Sequence, residues 1–218
     1  MSAVSIRETS NRNRIAREGK IFITAGLLAS TAAYYLVMNW FWLPLTLTLF
    51  TGFFFRNPRR TIPDSEGLVV SPADGRVMRI ENVNEDNYLM SSAVRVTIFM
   101  SLFNVHVNRM PVKGRVEKVV RKTGDYLPAY RPEAPEKNVT CYTLINTQWG
   151  RILIAQITGA VARRLVCYAS PGREFETGQL FGLIKFGSCV QLYLPPEVYL
   201  TIKIGDKVRG GETEIGRF

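Results

Sequence analysis

Near the C-terminus, Gly187-Ser188 sits inside FGLIKFGSCVQLYLP, between two apolar, strand-like stretches where a chain has no ordinary reason to be reactive. The pair alone carries nothing. Two other segments change its weight: SPADG at 71–75, which contains Asp74, and FNVHVNRMP at 103–111, which contains His106, the single histidine of the chain. A carboxylate, an imidazole and a serine hydroxyl placed directly after a glycine are parts from which a nucleophilic site can be built against the chain's own backbone. Together they suggest self-cleavage.

Each part also has a plainer reading. Pro-Ala-Asp-Gly is good Asx-turn chemistry by itself, a lone histidine in an apolar run is usually a satisfied core residue, and a Gly-Ser pair is an ordinary turn. Cys189, next to Ser188, is a competing nucleophile in principle, but it opens an alternating run that reads as strand. Cys141, Cys167 and Cys189 are widely spaced and form no C-x-x-C pair, which fits structural thiols in a reducing compartment. One histidine and no clustered cysteines argue against a zinc site, and no metal is expected.

These residues have to be positioned, and composition divides the 218-residue chain for that purpose. Residues 21–55 contain no charge, whereas charges are spread through everything from Arg56 onward. The reading is a basic N-terminus over 1–20, an apolar helical hairpin over 21–55 and a β-rich catalytic domain over 56–218. The apolar stretch splits into 21–38 and 40–55 around Asn39, with Asn39-Trp40 as its tip and Pro44 in the first turns of the second helix, where a missing N–H costs little. Arg7, Arg12, Arg14, Arg17 and Lys20 precede it, and Arg56, Arg59 and Arg60 follow it, so both flanks are expected on the cytoplasmic face of a cell membrane. A cleaved signal peptide ending in ASTAA at 29–33 is the competing reading, but a second apolar run follows at once and a signal peptide has no use for it.

With 28 basic against 18 acidic side chains the net charge is +10, which implies an anionic partner. The apolar run favours lipid over an acidic substrate. The aromatic residues lie in apolar or alternating contexts, not between Arg and Lys as on a base-stacking platform, so nucleic acid is not expected.

From Leu68 onward, short runs such as AVRVTIFM, VTCYTLI, RILIAQI and CVQLYL alternate with Pro- and Gly-rich turns and predict strands. The segment 124–138, rich in Pro and charge, predicts a surface loop. Pro72-Ala-Asp-Gly-Arg-Val is echoed by Pro111-Val-Lys-Gly-Arg-Val, which suggests two related strand-turn-strand units. The fold class expected is therefore mainly β, a barrel-sandwich-like domain with an N-terminal apolar hairpin.

SPADGRV, FMSLFNVHVNRMPVKGRV and FGLIKFGSCVQLYLP, with FFRNPRRTIP ahead of them, resemble the phosphatidylserine decarboxylases in their short form, from about Phe53 to the C-terminus. The resemblance implies a proenzyme that cuts itself between Gly187 and Ser188, leaving residues 1–187 (β) and 188–218 (α) as a noncovalent heterodimer. It implies that Ser188 becomes a pyruvoyl group, the only cofactor, which takes the amine of a serine phospholipid as an imine and draws off the electrons released with CO2. His106 is implied as proton donor or base, since imidazole ordinarily titrates near 6.5, and Asp74 as the acid of an Asp-His-Ser arrangement. Long forms carry a second histidine where this chain has Arg109, and arginine is no base at neutral pH. Either His106 serves both reactions or the self-cleavage base differs. Two alternatives stand beside this reading: the same chemistry on an ether-linked archaetidylserine, and a membrane-anchored biotinyl- or lipoyl-like carrier or adaptor built on Lys185.

Overall fold

A computed structural model describes residues 5–8, 14–160, 164–185 and 188–218; Gly187 and parts of the basic N-terminus lie outside the described residues. The chain divides into two compact units, Ser10–Arg59 and Arg60–Phe218 with Met1–Thr9.

The first unit is a helix pair, α1 (Arg17–Val37) and α2 (Trp42–Phe54), joined by a short 3-10 turn at Met38–Trp40. The helices approach through small residues. A Cβ at Gly26 would overlap Thr48 Oγ1, and one at Gly19 would meet Phe55 at 2.5 Å. Ser30, Thr31, Thr46, Thr48 and Thr51 each donate to the carbonyl four residues earlier, which satisfies their hydroxyls without solvent. Leu28, Tyr35, Leu36, Trp42 and Leu49 point outward instead of into a core. The pair is thus apolar outside and small inside, an arrangement suited to lipid. The two helices are unequal, however. α1 starts at Arg17, four residues before the apolar run, because Arg17, Glu18 and Lys20 are good helix formers and Glu18 complements the helix N-terminus. Its 21 residues make it long and apolar enough to cross a membrane. The 13 residues of α2 reach only about 20 Å.

The second unit is built from strands. In chain order they are β1 (Ser5–Glu8), β2 (Thr61–Asp64), β3 (Leu68–Val70), β4 (Gly75–Glu85), β5 (Ser91–Met100) and β6 (Val107–Arg109). Then come β7 (Gly114–Lys122), β8 (Thr140–Thr147), β9 (Gly150–Ile157), β10 (Leu165–Cys167) and β11 (Glu174–Phe175). The last are β12 (Leu180–Ile184), β13 (Ser188–Leu194), β14 (Tyr199–Leu200), β15 (Lys207–Val208) and β16 (Glu214–Arg217). An eight-stranded antiparallel sheet runs β11-β7-β8-β9-β13-β5-β4-β15, and two three-stranded sheets run β10-β12-β6 and β14-β16-β3. The fold is mainly β with an N-terminal helix pair, as the sequence pattern implies.

The Gly-Arg-Val echo is structural. Gly75 opens β4 and Gly114 opens β7; each strand carries a bulge just after its valine, between Val77 and Arg79 and between Val116 and Lys118. Each is bordered by a two-residue edge strand, β15 beside Arg76 and β11 beside Arg115. The large sheet therefore consists of two similar halves, β15-β4-β5-β13 and β11-β7-β8-β9, joined where β13 pairs with β9. Since β6 to β12 are contiguous, the chain crosses between halves twice: after β5, through 101–106, and after β12, into β13.

The joint is buried on both faces. Val190, Leu192 and Leu194 join Ile98, Ile152 and Ile154 in one apolar cluster, while Cys189 and Tyr193 join Ala93, Leu153 and Ile157 in another. Alternation along β13 supplies both clusters, which is why its sequence reads as nearly continuous apolar residues.

Candidate active site

The two crossings hold two of the candidate residues. His106 closes the first and is fully buried; Ser188 ends the second and is fully buried as well. Backbone pairing sets the strand after His106 against the strand before Ser188. The Ile184 N–H donates to the His106 carbonyl at 3.1 Å, and β6 continues antiparallel to β12, Val107 opposite Leu183 and Asn108 opposite Gly182. The strand that leads to Gly187 is thus zipped to the strand that follows the histidine.

Ser188 opens β13 opposite Met100, the last residue of β5. Its Oγ lies 3.6 Å from Met100 Sδ, and among the described residues it makes no hydrogen bond to an imidazole. The same sulfur lies 3.7 Å from Asn108 Nδ2, and Asn108 Oδ1 accepts from Gln156 Nε2 at 2.8 Å. Asn108 and Gln156 are fully buried. Gln156 Oε1 has no partner among the described residues, and a thioether is a weak acceptor, so this string of amides is under-satisfied where each unmet group costs about 1–3 kcal/mol. Gly182 makes room for it: a Cβ there would strike Gln156 Nε2 and come within 2.7 Å of the Val166 carbonyl.

Asp74 lies in the turn before β4, with its carboxylate held by others. Arg60 Nη2 donates to its two oxygens at 2.9 and 2.7 Å, and the Gly210 N–H donates to Oδ1 at 2.8 Å. These hydrogen bonds come from a guanidinium and a backbone amide, where an Asp-His-Ser arrangement would have an imidazole. Arg60 Nη1 also reaches Glu212 at 3.2 Å. Arg109, the largest fully buried side chain among the described residues, joins this group. Its Nη1 donates to the Gly178 carbonyl at 3.0 Å and its N–H to the Pro72 carbonyl at 2.9 Å, which ties the histidine segment to the SPADG turn. Burial, reinforced by the charge of Arg60, pulls the Arg109 guanidinium down to about 10, with Asp74 and Glu212 acting against the fall. It stays a cation at neutral pH. Arg109 is thus a buried charge that Asp74 and Glu212 balance.

Arg60 is only 7% exposed, so removing its side chain takes from Asp74 and Glu212 the cation that hydrogen-bonds them both. Arg60→Ala is expected to cost about 3 kcal/mol, read as a fall in the denaturation midpoint of the full chain in detergent. An unchanged midpoint, matching Arg59→Ala, would show the network to be dispensable.

Cys189 is not a rival to Ser188, because burial pushes its thiol up to about 12 and keeps it neutral. Cys167 differs: a hydrogen bond from the Cys141 thiol, helped by Thr143, lowers it against the desolvation of a half-buried site. At pH 7.5 iodoacetamide is expected to label Cys167 first and Cys189 only after unfolding, as mapped by peptide mass. Equal native rates would contradict the burial argument.

Residues 47–216 match the family model described as phosphatidylserine decarboxylase. The chain belongs to the phosphatidylserine decarboxylase family. It is 48% identical over 206 residues to a phosphatidylserine decarboxylase proenzyme of Carboxydothermus hydrogenoformans, covering 92% of this chain and 95% of that one. The protein of the same name from Syntrophus aciditrophicus is 43% identical over 207 residues, covering 94% and 97%, and that from Desulfotalea psychrophila is 39% identical, covering 93% and 96%. This is a decarboxylase family, and its members are named as proenzymes.

Some residues of this candidate site escape a reading of the sequence. Gln156 left a signal, as the one polar residue inside the buried run ILIAQI. Asn108 lies within the histidine motif itself. Arg60 left none, because a basic residue just after an apolar helix reads as a membrane flank.

Proposed function

We propose that the chain cuts itself between Gly187 and Ser188 and then decarboxylates the serine head group of phosphatidylserine to give phosphatidylethanolamine and CO2. The observation that carries this is a fully buried serine at the head of the central strand β13, beside the crossing that bears the only histidine, in a family of decarboxylase proenzymes.

Self-cleavage starts with attack of Ser188 Oγ on the Gly187 carbonyl; the peptide C–N bond breaks, an ester forms and the amine of residue 188 is freed. Loss of the α-proton then expels the Gly187 carboxylate and leaves a dehydroalanine, which takes up water and releases ammonia. The residues around Ser188 fit the ketone so formed: the position is dry, backed by Met100, and flanked by the amides of Asn108 and Gln156. When present, the ketone supplies a sink for the electron pair released with CO2. His106 moves the proton that this exchange requires. Asp74 holds Arg60 and the Gly210 amide, and so fixes the turn at which the site opens.

The helix pair anchors the enzyme to the membrane that holds its substrate. Arg14, Arg17 and Lys20 on one side, with Arg56 and Arg59 on the other, favour the cytoplasmic face; Arg60 is withdrawn from that set by Asp74. A carrier reading has little support, since Lys185 is only 9% exposed and its N–H donates to the Arg164 carbonyl, whereas a carrier lysine has to swing free. Ether-linked lipids share the head group, and assays with both tail types distinguish them.

The test is intact-mass analysis of denatured protein, half of it treated with borohydride, together with CO2 release from carboxyl-labelled phosphatidylserine. Fragments meeting at 187/188, the smaller one reducible, together with CO2 release, support the proposal. A single chain that releases no CO2 overturns it.

A further inference from the structure

Alongside the Asp74 turn, a cleft of about 600 Å³ is lined by Asp74, Arg76, Phe99, Ser101, Lys207 and Arg209, among others. That volume is in the range of small-molecule sites. Its charge is unusual. Arg76 on β4 and Lys207 on β15 are directly opposite each other in an antiparallel pair, where like charges destabilise. Neither has an ion pair among the described residues, and the carboxylate of Asp74 is already matched by Arg60. Arg209 reaches Glu212 only at 3.9 Å.

The other half of the sheet provides an internal comparison. At the equivalent edge Arg115 of β7 is opposite Glu174 of β11, the arrangement that pairing alone favours. Only the half that contains Ser188 faces arginine with lysine. Cross-strand register then relates the cations to the reactive serine: Lys207, Arg76, Phe99 and Cys189 are successive partners across β15, β4, β5 and β13. Strand spacing places the backbone of Arg76 about 10 Å from that of Cys189; alternation turns the Ser188 side chain to the other face, so the cleft relates to residue 188 around the end of the sheet, where cleft-lining Ser101 follows Met100, the partner of Ser188. A serine phospholipid carries its phosphodiester only a few bonds from the amine that must reach residue 188.

We infer that Arg76 and Lys207, with Arg209 at the rim, form the subsite for the head-group phosphodiester. This rests on the function proposed above and adds the part of the substrate that the cleft holds. A phosphodiester monoanion relieves the repulsion between the two cations and receives charge-assisted hydrogen bonds from both. Asn104 on the same wall has its Oδ1 engaged by the Ser101 N–H and hydroxyl at 2.8 and 2.7 Å, which orients its amide N–H2 as a further donor.

The experiment measures binding of glycerophosphoserine, inorganic phosphate and serine to full-length Ser188→Ala protein in neutral detergent, so that neither self-cleavage nor turnover contributes. Glycerophosphoserine should bind more tightly than the other two. Arg76→Gln and Lys207→Gln should each weaken it about tenfold, ~1.4 kcal/mol, and Arg115→Gln should not. Lys207→Glu recreates the pairing of Arg115 with Glu174, so it should melt no lower than its parent while losing head-group binding, which separates binding from folding. Inorganic phosphate binding as tightly as glycerophosphoserine would make this a general anion site and overturn the assignment. So would variants that keep head-group binding but lose adsorption to vesicles of phosphatidylcholine and phosphatidylglycerol, since the cations would then serve the membrane surface. If head-group binding behaves as expected and the unmutated enzyme still releases no CO2, the proposed reaction fails while the subsite stands.

Discussion

Ser188→Ala is expected to give one uncut chain of 24.7 kDa and no measurable decarboxylation, the largest effect of any single substitution here. The change removes the attacking oxygen and little else. Alanine fits a fully buried strand position, and the hydroxyl gives up only a weak interaction with a thioether at 3.6 Å, so β13 should keep its register with β5 and β9 and the melting temperature should hardly move. Cys189 does not take over, being neutral and locked in the strand. Cleavage at 187/188 in this variant would remove Ser188 from the mechanism. The same sheet predicts what happens to the unmutated chain once cut. Residues 188–218 supply β13 and β15 to the large sheet and β14 and β16 to a small one. Val190, Leu192 and Leu194 alone bury enough apolar surface to contribute on the order of 5–9 kcal/mol, so the two fragments should co-elute in native detergent solution and part only on denaturation.

What was legible in the sequence was what depends on neighbours along the chain. Alternation gave the strands, turn residues gave their ends, and the Gly-Arg-Val echo anticipated the two halves of the sheet because each copy begins a strand with the same bulge. The segments that carry His106 and Ser188 stand out as motifs, and the pairing of β6 with β12 relates two that lie about 80 residues apart. Contacts set by tertiary packing were not legible. Nothing local pairs Arg60 with Asp74 and Glu212, or sets Arg109 beside them. The SPADG motif marks Asp74 as a candidate acid, while the guanidinium and backbone amide that hydrogen-bond it come from distant segments. The apolar run likewise marked the helix pair but not the unequal lengths of α1 and α2, since helix propensity carries α1 back through charged residues to Arg17.

His106→Gln should separate the two reactions. Proton transfer by a positioned side chain is worth about 10²–10⁴-fold, and decarboxylation needs that transfer at every turnover, so the rate per cut chain should fall by that factor. Self-cleavage occurs once in the life of a chain. Among the described residues Ser188 Oγ makes no hydrogen bond to the imidazole, so uncut protein should accumulate at first and then disappear over long incubation, not persist as in Ser188→Ala. The backbone link from Ile184 N–H to the His106 carbonyl does not depend on the side chain and should hold the two crossings together in the variant. A glycine at 106 leaves a ring-sized cavity in a fully buried position, and imidazole added to His106→Gly should restore part of the decarboxylation rate, as benzene fills an engineered apolar cavity. Cut His106→Gln protein that turns over at the unmutated rate would exclude the imidazole from proton transfer. Rescue of activity by imidazole without any gain in melting temperature would instead assign the ring to chemistry and not to packing.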